Sequence, residues 1–215
     1  MKTDPTISVV DDDAGVRNSL RWLIESAGFR VAAYAGAKEF RKEFDRETPG
    51  CLVLDVRLSG HSGLDLQQQL TAEGIGIPVI MITGHGDVPT AVRAMRNGAL
   101  DFIEKPFDDK LLLDRVRQAV ELDIRNRAER AKCAEIVARL ALLTPREREV
   151  LERVVDGRAN REIAEELGIS TKTVEAHRAH LMEKMRAESI AGLVQLVRSA
   201  DVRAQPGLIP EPQPG

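Results

Sequence analysis

The chain has 215 residues, 43% of them apolar and 30% charged, with 31 Lys and Arg against 34 Asp and Glu for a formal net charge of −3. That length suffices for two modest domains, each with its own core. The sequence holds no run of 18 or more apolar residues and no basic, apolar leader, which argues against a membrane partner and predicts a cytoplasmic protein.

In chain order, four short apolar runs come first, at 7–10, 52–54, 79–82 and 102–104, separated by amphipathic helical stretches. Each run reads as a buried parallel strand. Asp11 and Asp12 follow the first, Asp55 ends the second, Thr83 ends the third and Lys105 follows the fourth. Open α/β sheets bind ligands in the crevice outside the carboxyl ends of their strands, so these residues are expected to converge on one site. Asp13, ahead of a helix predicted over 15–27, reads instead as a helix cap. His61 and His85 lie on loops without partners at metal-ligand spacing and read as exposed, although His85 stands two residues after Thr83. Cys51, in a buried strand, and Cys133, on a helix, lack the framework of a secreted disulfide fold and read as reduced thiols.

The charges of the crevice say what it can do. Three carboxylates packed together either share protons or neutralise a hard divalent cation, and Mg2+ (or Mn2+) suits oxygen ligands of this kind. Such a cation and Lys105 would screen a phosphoryl group approaching Asp55, which makes Asp55 a candidate nucleophile. A phosphatase or mutase with an aspartate nucleophile commonly has a second carboxylate two residues on, where this chain has Arg57, so no turnover enzyme is expected. A flavodoxin-type cofactor domain would need a phosphate-cradling loop after its first strand, where this chain offers Asp11, Asp12 and Asp13.

These residues resemble the receiver domain of bacterial two-component response regulators, which accept a phosphoryl group from a partner histidine kinase. The resemblance rests on Asp11 and Asp12, Asp55, Thr83 with Gly84, and Lys105 with Pro106, and it spans residues 4 to about 120. The stretch from Thr83 to Pro89 and the run from Asp101 to Phe107 resemble the FixJ subfamily. The resemblance implies a flavodoxin-like, doubly wound α/β sheet of five parallel strands in a receiver domain over 1–120. It implies that Asp55 is the phosphoacceptor and that metal is held by Asp12, Asp55 and the backbone carbonyl of Arg57, with Asp11 acting through water. Lys105 would neutralise a phosphoryl oxygen. Thr83 and Phe102 would form the switch, the threonine hydroxyl swinging onto the modified aspartate and the phenylalanine turning inward. Ser59 departs from the family pattern, which places proline four residues after the phosphorylated aspartate. Phosphorylation is expected to favour a homodimer through the face around Arg93, Arg96, Asp101 and Lys110, with Val92, Ala99 and Leu112 as its apolar contacts.

Residues 108–142 contain neither Gly nor Pro and read as helix almost throughout. Leu111, Leu112, Val116, Ala119 and Val120 are expected to pack on the receiver sheet. The linker proper, 121–142, carries an intermittent stripe of Ile124, Ala128, Ala131, Ile136 and Leu140, which fits either a solvated connector or a dimer-forming helix.

At Thr144 the pattern changes. Thr144, Pro145 and Glu147 form a capping box with proline at the first helical position. Helices are predicted from there to 156, over 160–167, from Ser170 or Thr171 to 185, and over 189–200, with Gly157 and Gly168 ending the first two. Two helices joined by a tight glycine turn make a helix-turn-helix pattern. Residues 143–200, through Leu143, Thr144, Arg146, Glu147, Val150, Leu151, Asn160, Ile163, Ala164, Val174, His177, Leu181 and Lys184, closely resemble the LuxR-type DNA-binding domain. That predicts an all-α four-helix domain whose third helix enters the major groove of double-stranded DNA. By spacing, Val174, His177 and Leu181 turn inward, while Lys172, Thr173, Glu175, Ala176, Arg178 and Ala179 lie on or beside the outward face, with Lys184 as a further phosphate contact. Residues 142–200 carry ten basic and ten acidic side chains by count, so a helical module that binds protein instead of DNA is the alternative. Residues 201–215 hold four of the ten prolines and read as a disordered tail.

Overall fold

The computed structural model describes residues 4–199, the His61 side chain excepted, and divides them into two compact units, one ending at Arg127 and the other beginning at Ala128. The tail predicted as disordered lies outside the described residues.

The first unit is a parallel sheet wrapped by helices. Its main strands are β1 (Thr6–Val10), β2 (Arg30–Tyr34), β3 (Gly50–Asp55), β6 (Val79–Thr83) and β7 (Asp101–Glu104), ordered β2-β1-β3-β6-β7, all parallel. Counting only these five, the order is 2-1-3-4-5, the flavodoxin-like winding with its switch point between the first and third strands. Two-residue strands β4 (Arg57–Leu58) and β5 (His61–Ser62) form a small antiparallel ladder just after β3. All six residues of β3 are buried, because helices cover both faces of this central strand. Leu52 and Leu54 join one core with Val10, Met81 and the helices α2 (Ala37–Glu43), α3 (Gly63–Ala72) and α4 (Val88–Arg96). Cys51 and Val53 join the other with Ile7, Ile80, Leu20 and Ile24 of α1 (Ala14–Ser26), and Leu112 and Val116 of α5 (Asp109–Ala141).

β2 is the strand the apolar runs did not reveal. It is an edge strand with an exposed start and only Tyr34 fully buried, so it lacks a continuous apolar signature. Asp13 caps α1 as expected, its side chain accepting from the backbone of Gly15 and Val16.

α5 is one unbroken helix of 33 residues. The first unit extends past the predicted 120 because α5 is anchored there by charge. Buried Asp123 accepts from Gly50 N–H at 2.9 Å and from Arg127 Nε at 2.6 Å, and Arg127 also donates to the carbonyls of Arg46, Glu47 and Thr48. The second unit likewise starts before the predicted 143: Ile136 is buried in its core, with Cys133 and Leu140 packed against it. Of the predicted linker stripe, Ile124, Ala128 and Ala131 are exposed.

The second unit contains α6 (Pro145–Val155), α7 (Asn160–Leu167), α8 (Thr171–Met185) and α9 (Ile190–Ser199) around Val150, Ile163, Val174, Leu181 and Leu193. The capping box at Thr144 is formed with Glu147, Gly168 ends α7 in the left-handed conformation, and the Ser170 side chain caps α8. Among the described residues no helix is long and apolar enough to cross a membrane.

Candidate functional site

Strand ends bring the phosphate-directed residues together. Lys105 Nζ lies 2.7 Å from Asp11 Oδ2 and 2.5 Å from Asp55 Oδ2, tying the ends of β1, β3 and β7 across the crevice. Lys105 stays on its strand end through its own N–H to the Thr83 carbonyl, and the Lys105–Pro106 bond is cis. The other Asp55 oxygen accepts from Arg57 N–H at 2.8 Å, and Asp11 Oδ1 accepts from Asp13 N–H at 2.9 Å. Arg17 of α1 donates to the Asp11 carbonyl at 2.8 Å.

The electrostatics follow from burial. Asp11 is 1% exposed; burial pushes its carboxyl above the usual carboxylate range, and the bonds from Lys105 and Asp13 offset this only in part. Burial would lower the Lys105 ammonium, but its bonds to Asp11 and Asp55 outweigh that and hold it above the ordinary lysine value. Asp12 is exposed and accepts from the Ser59 hydroxyl, which holds its carboxyl low. At the position where the family pattern has proline, Ser59 thus engages a predicted metal ligand.

Among the described residues no three His, Cys, Asp or Glu side chains form a ready ion cage. The donors that do converge suit magnesium, which typically takes one or two carboxylates and keeps its remaining positions for water and phosphate oxygens.

Sequence reasoning missed the part played by Gly63. It begins α3, donates to the Val56 carbonyl at 2.8 Å, and packs so closely on the Asp55 backbone that a Cβ there would lie 2.0 Å from the Asp55 carbonyl oxygen. The glycine spacing after Asp55 was the available signal.

Thr83 is fully buried, and its hydroxyl is turned onto its own loop, 3.2 Å from both the carbonyl and the N–H of His85. Phe102 is half-buried against the core beneath α4. On the face expected to dimerise, Ala99 and Leu112 are buried in the two cores, so they are not contact residues. Val88, Val92 and Met95 of α4 and Leu111 of α5 are the exposed apolar groups there, and Leu111 therefore does not pack on the sheet as expected. Arg93 bonds Asp65, and Asp101 bonds Arg115, within the same chain. Arg96 and Lys110 are exposed.

In the second unit Lys172, Thr173, Glu175, Ala176 and Ala179 are exposed along α8, while Val174 and Leu181 are buried and His177 is half-buried. Arg178 donates to Asn160 Oδ1 at 2.6 Å. Lys184 is not a free phosphate contact: its ammonium sits 2.7 Å from buried Glu147 and 3.2 Å from the Leu142 carbonyl. Burial would raise the Glu147 carboxyl, but Lys184 and the Thr144 backbone and hydroxyl prevail and hold it low.

A parallel sheet with this crevice followed by a four-helix unit with an exposed recognition helix defines a receiver coupled to a helix-turn-helix. Comparison with known proteins agrees. Residues 7–117 match the response regulator receiver domain, and residues 141–197 match the bacterial regulatory proteins of the luxR family. Nodulation protein W of Bradyrhizobium diazoefficiens is 43% identical over 94% of this chain and 89% of its own length. The transcriptional regulatory protein FixJ of Rhizobium meliloti is 44% identical over 90% and 95%. Among solved structures, the response regulator StyR is 45% identical with a TM-score of 0.82, covering 91% of this chain and 99% of its own. Full-length FixJ from B. japonicum is 42% identical with a TM-score of 0.57, over 92% and 98%. The chain belongs to the two-component response regulators, with a receiver domain and a LuxR-type DNA-binding domain, among the FixJ-like transcription regulators. The luxR-family match favours DNA over the protein-binding alternative for the helical unit.

Proposed function

We propose that a partner sensor histidine kinase phosphorylates this regulator on Asp55 and that the modification controls its binding to promoter DNA. The observation that carries this reading is the Lys105 ammonium bridging Asp11 and Asp55 at the strand ends. In the transfer, an Asp55 carboxylate oxygen forms a bond to phosphorus as the phosphorus–nitrogen bond to the kinase histidine breaks. Lys105 stands ready to neutralise a phosphoryl oxygen. Asp12, Asp55 and the Arg57 carbonyl would hold Mg2+ or Mn2+, with Asp11 acting through water, and the ion would supply the positive charge a phosphoryl donor needs beside three carboxylates. Thr83 then leaves His85 for the modified aspartate, and Phe102 turns inward.

Incubation with acetyl phosphate tests this. The intact mass should rise by one phosphoryl group only with a divalent cation, and Asp55→Asn should abolish the gain; equal labelling of that variant refutes the assignment. Arg57→Ala and His85→Ala should change the decay rate of the phosphorylated protein, since each lies two residues beyond a phosphate-directed position.

The output is read as a dimer through the α4, β7 and α5 face, with Val88, Val92 and Met95 as its apolar contacts. Arg93, Arg96, Asp101 and Lys110 set register, and Arg93 and Asp101 exchange their present partners, exposed Asp65 and half-buried Arg115, for those of the second copy. Two copies of α8 then reach half-sites about one DNA turn, ~34 Å, apart. Equal sedimentation with and without phosphodonor would contradict this. Glu175 and Arg178 are the candidate base readers, and Lys172, Thr173, Ala176 and Ala179 line the same approach. Binding selections on Glu175→Ala should relax preference at one base pair by ~1–3 kcal/mol.

A further inference from the structure

α4 is tied to the receiver more by polar bonds than by packing. Ala94 is its one buried side chain, while Val88, Val92 and Met95 are exposed. Gln67 reaches from α3 to the Ala94 carbonyl at 3.0 Å, and Arg93 bonds Asp65. At the other end, the loop joining β6 to α4 is held by Glu104, the last residue of β7, whose Oε1 accepts from Gly86 N–H at 3.0 Å. The fit is close: a Cβ on Gly86 would lie 3.2–3.4 Å from the Glu104 carboxylate atoms. One residue earlier in this loop, the His85 backbone occupies the Thr83 hydroxyl through two bonds.

We propose that Glu104 is a positioning residue of the phosphorylation switch, a latch that holds the β6–α4 loop where His85 retains the Thr83 hydroxyl. The inference rests on the receiver reading of Asp55 and Thr83. For Thr83 to turn toward Asp55, both of its bonds to the His85 backbone must break, which leaves the His85 carbonyl and N–H without the hydroxyl. His85 and Gly86 share a peptide unit whose N–H is the one Glu104 accepts. The carbonyl of that unit is the one the Thr83 hydroxyl donates to, so the Glu104 bond holds the peptide where the hydroxyl is retained, and its loss frees the carbonyl to move away from Thr83. A phosphoryl group shifts this equilibrium only by its differential interaction with the two loop arrangements, and every bond made solely in the unswitched arrangement raises the phosphoryl occupancy required. A hydrogen bond to an exposed carboxylate contributes modestly, so its loss should favour the switched arrangement about fivefold.

Two variants of the full chain test the latch. Glu104→Ala removes the acceptor, while Glu104→Gln keeps an amide oxygen in its place. In 15N-labelled protein without phosphodonor, amide exchange at Gly86 should be faster in Glu104→Ala than in the native chain and close to native in Glu104→Gln. With magnesium present, the beryllofluoride concentration that half-converts the Thr83 and α4 resonances should fall about fivefold in Glu104→Ala and change little in Glu104→Gln. Faster exchange at Gly86 with an unchanged beryllofluoride midpoint would reduce Glu104 to a structural contact and overturn the proposal, as would unchanged exchange. A native chain that neither responds to beryllofluoride nor takes phosphate at Asp55 would instead overturn the receiver reading beneath it, a failure distinct from the first two.

Discussion

Each unit of this regulator contains one partly buried lysine gripping buried carboxylate, and the two clusters are opposites. Lys184 meets a Glu147 that also accepts from the Thr144 N–H, so the carboxylate is held well and its proton affinity is lowered. Lys105 is divided between Asp11 and Asp55, and Asp11 remains so desolvated that its proton affinity is raised. A filled cluster of the first kind fixes a helix start. The second kind leaves negative charge incompletely neutralised in a crevice open at the strand ends, which is the condition for recruiting a cation and a phosphoryl group. The same residue types thus serve structure in one place and the proposed chemistry in the other, and the difference lies in whether the bonds a carboxylate receives outweigh its burial.

The strongest way to break the receiver side is through backbone. Gly63→Ala would set a Cβ against the Asp55 carbonyl oxygen and must displace the loop carrying the site. We expect a loss of about 3 kcal/mol in receiver stability. Urea unfolding followed through Trp22, the chain's one tryptophan, reports it, together with a sharp fall in acetyl phosphate labelling.

Replacing each lysine sharpens the contrast. Lys184→Ala strands the buried Glu147 charge and should destabilise the helical unit by about 2 kcal/mol, less than for a fully buried pair because Lys184 is partly exposed. Lys105→Ala should cost about 1 kcal/mol, since Asp11 can take up a proton in compensation. Hydrogen exchange resolved by segment measures both; equal losses would mean the clusters do not differ as argued.

Acid titration separates them by sign. Glu147 binds its proton more weakly folded than unfolded, so its contribution is complete above pH 4.5, the ordinary glutamate value, and is lost as pH falls through its lower folded value. Asp11 runs the other way. Its folded proton affinity is raised, so it opposes folding above that raised value, and the opposition is relieved as pH falls toward the ordinary 3.8. Below pH 4.5 amide protection in α6 and α8 should therefore decline before that of β1 and β3, and simultaneous loss would contradict the assignment.

The smallest effect belongs to Ser59. Ser59→Ala removes the hydroxyl that holds Asp12 low and should raise that carboxyl toward its ordinary value. Because Asp12 is exposed, magnesium affinity should change by less than about threefold near neutral pH, as read by calorimetry. A tenfold change would mean that Ser59 shapes the site as strongly as Lys105 does.

Much of this was legible in the linear order. Buried central strands must be apolar on both faces, so β1, β3 and β6 stood out as runs, and the residues ending them were placed on one crevice by the parallel winding. Thr144, Gly168 and Ser170 announced helix boundaries because capping chemistry is local. What depends on contacts distant in sequence was not legible. β2 is stabilised as an edge strand by its neighbour, not by its own pattern. Leu112 and Ala99 could be placed on a helix or beside a strand, yet whether they face a core or a partner depends on how those elements pack. The ends of the two units were set by Asp123 reaching Gly50 and by Ile136 joining a core formed after it in the chain. Lys184 and Lys105 have the same formula and are both partly buried, and only the tertiary structure, by bringing one carboxylate to the first and two to the second, decided which of them holds a helix and which faces the proposed phosphoryl site.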